Sequence, residues 1–206
     1  MIEGVHIWRA ALDEEGWPGA EELPREERQR AESFLRSGAA RRWVAARWAL
    51  RRTLAQYLAL AAAAIELEAD DRGKPRLRQD ACGLQFNLSH SGGLALVAVT
   101  EGRPVGVDVE LIAPRDDLVA LAERGLPAEE AAAVRAAGPA QQLKAFYDAW
   151  VRHEARSKCL GTGLGSPAPP TGFAVAAIDV DPAYAAAVAV LGSDIGPLHC
   201  RTLRAG

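Results

Sequence analysis

Residues 105–110 read VGVDVE, and this stretch decides how the rest of the chain is interpreted. Its three valines alternate with other residues, which is the two-residue period of a β-strand with one apolar face. Asp108 and Glu110 then share the opposite face, about 7 Å apart at a rise of ~3.3 Å per residue. Two neighbouring acids are explained either by an exposed sheet edge, where charges are normally found, or by a cation that lies between them.

The composition of the chain is that of an ordinary globular protein. Its 206 residues are 49% hydrophobic and 25% charged, enough for one large domain or two small ones. The net charge of −3 argues against nucleic acid or an acidic membrane as a partner. The first residues lack a signal-peptide pattern, and no apolar run approaches the ~18 residues of a membrane span. We therefore expect a cytoplasmic protein that binds neither nucleic acid nor membrane.

The cysteines predict neither a disulfide framework nor a zinc site. Cys82, Cys159 and Cys200 are odd in number and lack paired spacing, and the four histidines are scattered. Each cysteine is expected to be a small core residue.

Periodicity and turn signals predict an α+β fold. Strands are predicted at 4–12, 65–70, 84–89, 94–100, 105–110, 172–180, 184–192 and 198–203, and helices over 23–38, 41–62, 126–138 and 140–161. The first helix is expected to end at Gly38 and the last at Gly161, which opens a Gly/Pro-rich loop. The strands within 84–110 are predicted to form a three-stranded meander. An order of strand, helices and strands occurs twice, joined near residue 104, which indicates two similar halves.

The last helix carries charges on a face that should point inward. Its apolar stripe ends at Trp150, and steps of four from there reach Glu154 and Lys158. One interpretation is an ordinary exposed Glu–Lys pair, worth only ~0.3 kcal/mol. The other is a functional acid and base at the end of a buried stripe.

Two further stretches could bind an anion. SHSGG at 89–93 offers hydroxyls, an imidazole and flexible backbone N–H groups, although a plain hairpin turn explains it equally well. Arginines crowd the second helix, with Arg47 and Arg51 one turn apart, where a solvated face is the ordinary explanation.

Taken together, these stretches resemble the Sfp-type 4′-phosphopantetheinyl transferases. FNLSHS is similar to the family's Phe-Asn-x-Ser-His-Ser segment, GVDVE to its Gly-x-Asp-x-Glu strand, and WVRHEARSK to its Trp-x-x-Lys-Glu-x-x-x-Lys helix. The GKP turn at 73–75, the arginine-bearing helix and YAAAVAV at 184–190 also match. The resemblance covers nearly the whole chain, in the family's order.

The resemblance implies two α+β subdomains, 1–104 and 105–206, related by a pseudo-twofold axis with the active site in the cleft between them. It implies transfer of the phosphopantetheine arm of coenzyme A to a serine of an acyl or peptidyl carrier protein, with release of 3′,5′-adenosine bisphosphate. Mg²⁺, or Mn²⁺ in its place, is the implied cofactor, and a monomer is the implied state. The alternatives are a coenzyme A or carrier-binding module that has lost catalysis, and a Mg²⁺-dependent phosphohydrolase.

The resemblance also assigns residues. Asp108, Glu110 and Glu154 would bind the metal, Glu154 would act as general base, and Lys158 would stabilise charge at the phosphates. The implied coenzyme A contacts are Ser89, His90, Lys158, Lys74 and Arg51, with Arg42 as a companion. One position departs: His153 stands where the family usually has lysine, so one fixed positive charge is missing.

The segment 111–127 follows the metal-binding strand and is the predicted docking surface for the carrier. Leu118, Leu121 and Leu126 would form a small apolar patch, with Arg115 and Arg124 nearby. Carriers present an acidic helix beside their serine, which suits such a surface. The alternative is that these leucines close the core of the second half.

Overall fold

A computed structural model of the chain describes residues 2–34, 37–70, 73–78, 83–161 and 172–206. The strands are β1 Val5–Ala11, β2 Leu67–Ala69, β3 Pro75–Leu77, β4 Leu84–Ser91, β5 Leu94–Glu101, β6 Val105–Leu111, β7 Phe173–Ala177, β8 Tyr184–Leu191 and β9 Leu198–Leu203. The α-helices are α1 Arg25–Glu32, α2 Ser37–Leu58, α3 Leu118–Gly125, α4 Ala128–Ala136 and α5 Pro139–Leu160. Helices and strands are mixed along the chain, as the α+β prediction requires.

The strands form two main sheets and a small ribbon. The first sheet has the order β4-β5-β1-β9, the second has the order β6-β8-β7, and β2 pairs with β3. The predicted meander is therefore half wrong: β4 and β5 form a hairpin, but β6 pairs antiparallel with β8 in the other sheet. A two-residue period fixes which face of a strand is buried and leaves its partner undetermined. The last strand, β9, runs parallel to β1 and so belongs to the first sheet, although it follows residue 104.

Each main sheet is covered by one long helix. Helix α2 packs its buried leucines and alanines on one face of the first sheet, and α5 packs on β8 of the second. The opposite faces meet in a third cluster that includes Ile7 and Leu96 from the first sheet and all three valines of the VGVDVE stretch. The valines are thus buried between the sheets, which confirms their predicted face.

Several predicted elements begin or end at other residues than expected. Helix α1 ends at Glu32, and Gly38 lies inside α2 rather than ending the preceding helix. Ser89–Ser91 belong to β4, so the turn of the hairpin is confined to Gly92 and Gly93. Gly161 ends α5 in the left-handed conformation, with φ of 69°, as predicted. The loop residues after it, up to 171, lie outside the described part of the chain. No helix in that part is long and apolar enough to span a membrane.

Candidate active site

The two sheets are joined along β4 and β6 by side chains rather than by a backbone ladder. One edge of β6 pairs with β8, and its other edge points at β4. Three polar side chains of β4, spaced two residues apart, accept the N–H groups of that edge: Asn87 from Val107 (2.9 Å), Ser89 from Val109 (3.4 Å) and Ser91 from Leu111 (3.1 Å). Strand-edge N–H groups need partners, so these polar residues join the two sheets.

The same serines contact the two acids of β6. Ser89 Oγ donates a hydrogen bond to Asp108 Oδ1 at 2.9 Å, and Ser91 Oγ donates one to Glu110 Oε2 at 2.8 Å. Asp108 is only 2% exposed, whereas Glu110 is half-buried. The explanation of this stretch as an exposed sheet edge is therefore wrong for Asp108.

Gly106 lets α5 lie directly against β6. A Cβ atom at this position would fall 2.1 Å from the carbonyl oxygen of Ala155 and 2.3 Å from the backbone nitrogen of Cys159. Atoms cannot approach so closely, so glycine is required for the observed contact between strand and helix. This contact brings the last two turns of α5, with Glu154 and Lys158, over the acidic face of β6.

Lys158 pairs with Asp108 across this contact. Its Nζ lies 2.5 Å from Asp108 Oδ1 and 2.9 Å from Ser89 Oγ. Among the described residues, Lys158 forms no ion pair with Glu154, so the ordinary i,i+4 interpretation of these two residues is wrong.

The site holds more negative charge than Lys158 neutralises. Burial raises the pKa of Glu154, and the negative charges of Asp108 and Glu110 raise it further, while Lys158 opposes them. Burial likewise raises the pKa of Glu110, against the hydrogen bond from Ser91. Asp108 Oδ2 is buried without a hydrogen-bond partner, and the Glu154 carboxylate accepts no hydrogen bond within the described residues.

The donor set suits a hard divalent cation, since carboxylate oxygens are its preferred ligands and the partnerless Oδ2 of Asp108 could be one of them. As they stand, no three His, Cys, Asp or Glu side chains in the described ranges are grouped closely enough to hold a metal. Lys158 is the cation that contacts Asp108 in this arrangement.

A groove of about 270 Å³ opens beside the acids. It is lined by residues of α2, the turn before β3, β4 and α5, including Trp43, Arg47, Gly73, Ser89, His90 and Lys158. Partial burial of the His90 ring lowers its pKa, because burial disfavours the charged imidazolium, and the charge of Lys158 lowers it further. Part of the residue remains exposed to solvent. Hydroxyl, imidazole, ammonium and guanidinium groups together make this groove suited to an anion.

Comparisons with known proteins agree with this geometry. Two family models match: the 4′-phosphopantetheinyl transferase superfamily over residues 104–201, and the 4′-phosphopantetheinyl transferase N-terminal model over residues 8–102. The 4′-phosphopantetheinyl transferase HetI of Nostoc sp. is 36% identical over 169 residues, covering 80% of this chain and 71% of that protein. The chain belongs to the 4′-phosphopantetheinyl transferase family.

Two further family members show similar identity over shorter stretches. The transferase psf-1 of Bacillus pumilus is 35% identical over 68% of this chain and 58% of its own length. The transferase AcpT of Salmonella typhimurium is 37% identical over 58% of each chain.

The structure does not bring Arg51 to the groove, which corrects its assignment as a coenzyme A contact. Arg51 is 1% exposed, and its guanidinium donates to Glu27 at 2.9 Å and to the carbonyls of Ala62 and Ile65. Arg47, one turn earlier, lines the groove instead and also pairs with Glu27. Burial alone would raise the pKa of Glu27, but the hydrogen bonds and charges of these two arginines hold it below its usual value.

Two other predicted coenzyme A contacts, Arg42 and Lys74, do not line the groove themselves. Arg42 forms a two-point ion pair with Asp13 at 2.7 and 2.8 Å. Lys74 is directed at α5, where its Nζ donates to the main-chain carbonyl of Lys158 at 2.7 Å. Lys74 therefore supports the helix turn that carries Lys158.

His153, the position that departs from the family pattern, does not line the groove. It is 5% exposed and lies on the α4 side of α5, near Arg156 and Glu130. Burial and the nearby Arg156 lower the pKa of His153.

The leucines of the predicted docking patch belong to the core. Leu118 is 7% exposed within the cluster under α5, and Leu121 packs against the same cluster. The apolar part of the docking prediction is therefore wrong, because α3 turns its leucines inward to cover the helices behind it. Arg115 and Arg124 remain on the surface.

Proposed function

We propose that this protein transfers the phosphopantetheine arm of coenzyme A to a serine of an acyl or peptidyl carrier protein and releases 3′,5′-adenosine bisphosphate. The observation that carries the proposal is the convergence of Asp108, Glu110, Glu154 and Lys158 beside a basic groove. Family membership supports it, because the described relatives are named for this transfer. We propose a monomer in the cytoplasm, with halves 1–104 and 105–206 related by a pseudo-twofold axis, and two sheets each covered by a 22-residue helix support that symmetry.

Asp108, Glu110 and Glu154 would hold Mg²⁺, or Mn²⁺ in its place. The partnerless, buried Oδ2 of Asp108 and the mutual repulsion of the acids support this assignment. When bound, the ion would supply charge withdrawal from the pyrophosphate of coenzyme A.

Glu154 is our general base for the carrier serine. A serine hydroxyl is a poor nucleophile until a base accepts its proton. Burial and the neighbouring acids raise the pKa of Glu154, which brings its basicity closer to that needed near neutral pH. Its carboxylate has no competing hydrogen bond in the described structure, so the oxygen that does not bind the metal can accept the proton.

Lys158 would meet the negative charge that grows on the departing phosphate. Its Nζ stands between the buried Asp108 and the groove, and its side chain is 31% exposed, so it can contact a ligand there. A fixed cation in this place stabilises the transition state more than the ground state.

The 3′-phosphate and nucleotide of coenzyme A would lie in the groove. Ser89, His90 and Arg47 line it and offer the hydrogen bonds and charge that a phosphate requires. Lys74 and Arg42 would be further contacts of the nucleotide, whereas Arg51 is buried by its bonds to Glu27, Ala62 and Ile65.

The carrier would dock by charge rather than by an apolar patch. Arg115 and Arg124 are exposed around α3, close in sequence to the acids of β6, and would face an acidic carrier helix. Reversing both charges should raise the KM for the carrier and leave the KM for coenzyme A unchanged.

One assay separates this proposal from its alternatives. The protein is incubated with coenzyme A, Mg²⁺ and an apo carrier, and both the carrier and the nucleotides are analysed by mass spectrometry. A transferase adds the phosphopantetheine arm to the carrier. A binding module leaves both substrates unchanged, and a phosphohydrolase breaks coenzyme A without modifying the carrier.

A further inference from the structure

Ser91, the last residue of β4, makes two hydrogen bonds with one hydroxyl group. Its Oγ donates to Glu110 Oε2 at 2.8 Å and accepts the N–H of Leu111 at 3.1 Å. A hydroxyl has one proton and two lone pairs, so both bonds can exist together. Ser91 thus fixes the carboxylate of Glu110 relative to the backbone of the same strand.

Asn87 provides a comparison within the same strand. Its side chain also accepts an N–H group of β6, that of Val107, at 2.9 Å. Glu110 precedes Leu111, the residue whose N–H group Ser91 accepts. Gly106 takes the corresponding position before Val107, so Asn87 has no neighbouring acid. Asn87 therefore joins the two halves without touching a carboxylate, whereas Ser91 does both.

Glu110 depends on Ser91 more than Asp108 depends on its own serine. Asp108 is buried and paired with Lys158, so packing and charge hold it in place. Glu110 is half-buried, and within the described residues it forms no ion pair and receives one hydrogen bond, from Ser91. The charge of Asp108 repels it, and a glutamate has several rotatable bonds through which to turn towards solvent.

We propose that Ser91 is a positioning residue that keeps Glu110 turned towards Asp108, so that the two carboxylates can bind one divalent cation. The inference rests on the proposed function, because it takes Glu110 to be a metal ligand. Ser91 itself contacts neither substrate nor metal in this role. It acts as outer-shell partners do when they orient metal-binding carboxylates.

The test measures metal affinity without transfer. Mn²⁺ is titrated into the full chain with coenzyme A present and no carrier, and free Mn²⁺ is followed by electron paramagnetic resonance. Ser91→Ala should weaken Mn²⁺ binding by about tenfold, as expected for loss of an outer-shell partner. Ser91→Thr keeps the hydroxyl and should restore affinity to within about threefold of wild type.

Asn87→Ala is the matched control. It removes a contact between the halves and should lower the unfolding temperature, yet leave Mn²⁺ affinity as in the wild type. If Ser91→Ala does not fold, Ser91→Cys keeps the size of the side chain, is a weak donor, and should also weaken binding.

Equal losses of affinity in the Ser91 and Asn87 variants would overturn the proposal, because they would show a general effect of joining the halves. Unchanged affinity in the Ser91→Ala variant, or no Mn²⁺ binding by the wild type, would also overturn it. Failure of the wild type to modify a carrier, with the predicted affinity pattern present, would count against the proposed function and leave the role of Ser91 supported.

Discussion

The ammonium group of Lys158 lies 2.5 Å from Oδ1 of Asp108, a carboxylate that is 2% exposed. The lysine also contacts Ser89 and lines the groove, so one side chain connects the buried acid with the surface where a phosphate would bind.

Lys158→Ala should lower kcat by about 10²- to 10³-fold, because a cation that meets developing charge is lost. The KM for coenzyme A should change by less than about threefold, since a contact made mainly in the transition state affects kcat. Lys144→Ala, on the exposed face of the same helix, is the control and should behave as wild type. A change in KM with kcat preserved would make Lys158 a phosphate tether only.

Arg51→Met should destabilise the protein without affecting coenzyme A binding. The substitution leaves Glu27 with one arginine partner fewer in a buried setting, at a cost of about 3 kcal/mol in the free energy of unfolding. Urea unfolding measures that loss, and steady-state kinetics should give an unchanged KM for coenzyme A. Arg41→Ala is the control, because the Arg41 side chain is 75% exposed. It should change neither the free energy of unfolding nor the KM for coenzyme A. A raised KM in a variant of wild-type stability would return Arg51 to the binding site.

Gly106→Ala should displace α5 from β6. The added methyl would overlap the backbone of Ala155 and Cys159, so we expect a loss of about 1–3 kcal/mol in stability and a fall in kcat of tenfold or more, as Glu154 moves. Gly38→Ala is the matched control, because nothing lies within 4 Å of its added carbon, and a helical alanine should raise stability by up to about 1 kcal/mol. Wild-type activity in the Gly106 variant would show that the helix does not need this close contact.

The metal-free protein should lose stability as Glu154 ionises. The pKa of Glu154 is raised above its ordinary value of 4.5, so the folded state binds the proton more tightly than the unfolded chain does. The resulting stabilisation is complete below pH 4.5 and is lost as the pH rises through the raised pKa.

Urea unfolding in EDTA at a series of pH values, for wild type and Glu154→Gln, isolates this effect as the difference between the two curves. The wild type should lose stability relative to the variant as the pH rises above 4.5 and through the raised pKa of Glu154. Parallel curves would show that Glu154 titrates normally and would weaken its assignment as a tuned base.

Where an element has a clear hydrophobic period, the sequence predicts correctly which of its faces is buried. The valines of 105–110 and the stripe ending at Glu154 and Lys158 occupy the expected faces, because the period of an element fixes which side chains point inward. The partner of β6 could not be predicted, since pairing with β5 or with β8 buries the same valines.

The role of single polar side chains is harder to predict from sequence. Arg47 and Arg51 lie one turn apart on the same face of α2. Only the position of α1 shows that both pair with Glu27 and that Arg51 is the more deeply buried of the two. Asn87 and Ser91 were not among the predicted site residues, because the sequence places Asn87 in a strand and Ser91 in a hairpin turn, and neither position predicts a contact with β6. Their spacing is the feature that could have identified them. Asn87 and Ser91 are four residues apart, as are Val107 and Leu111, whose N–H groups they accept at the edge of β6 that has no paired strand.

Mass spectrometry of an apo carrier, incubated in parallel with wild type and with Glu154→Gln, tests the central claim most directly. Both reactions contain coenzyme A and Mg²⁺, and a third contains wild type with EDTA. We predict that the wild type with Mg²⁺ adds one phosphopantetheine arm per carrier and releases an equal amount of 3′,5′-adenosine bisphosphate, while the other two reactions leave the carrier in its apo form. An unmodified carrier with the wild type, or equal modification by wild type and variant, would contradict the account.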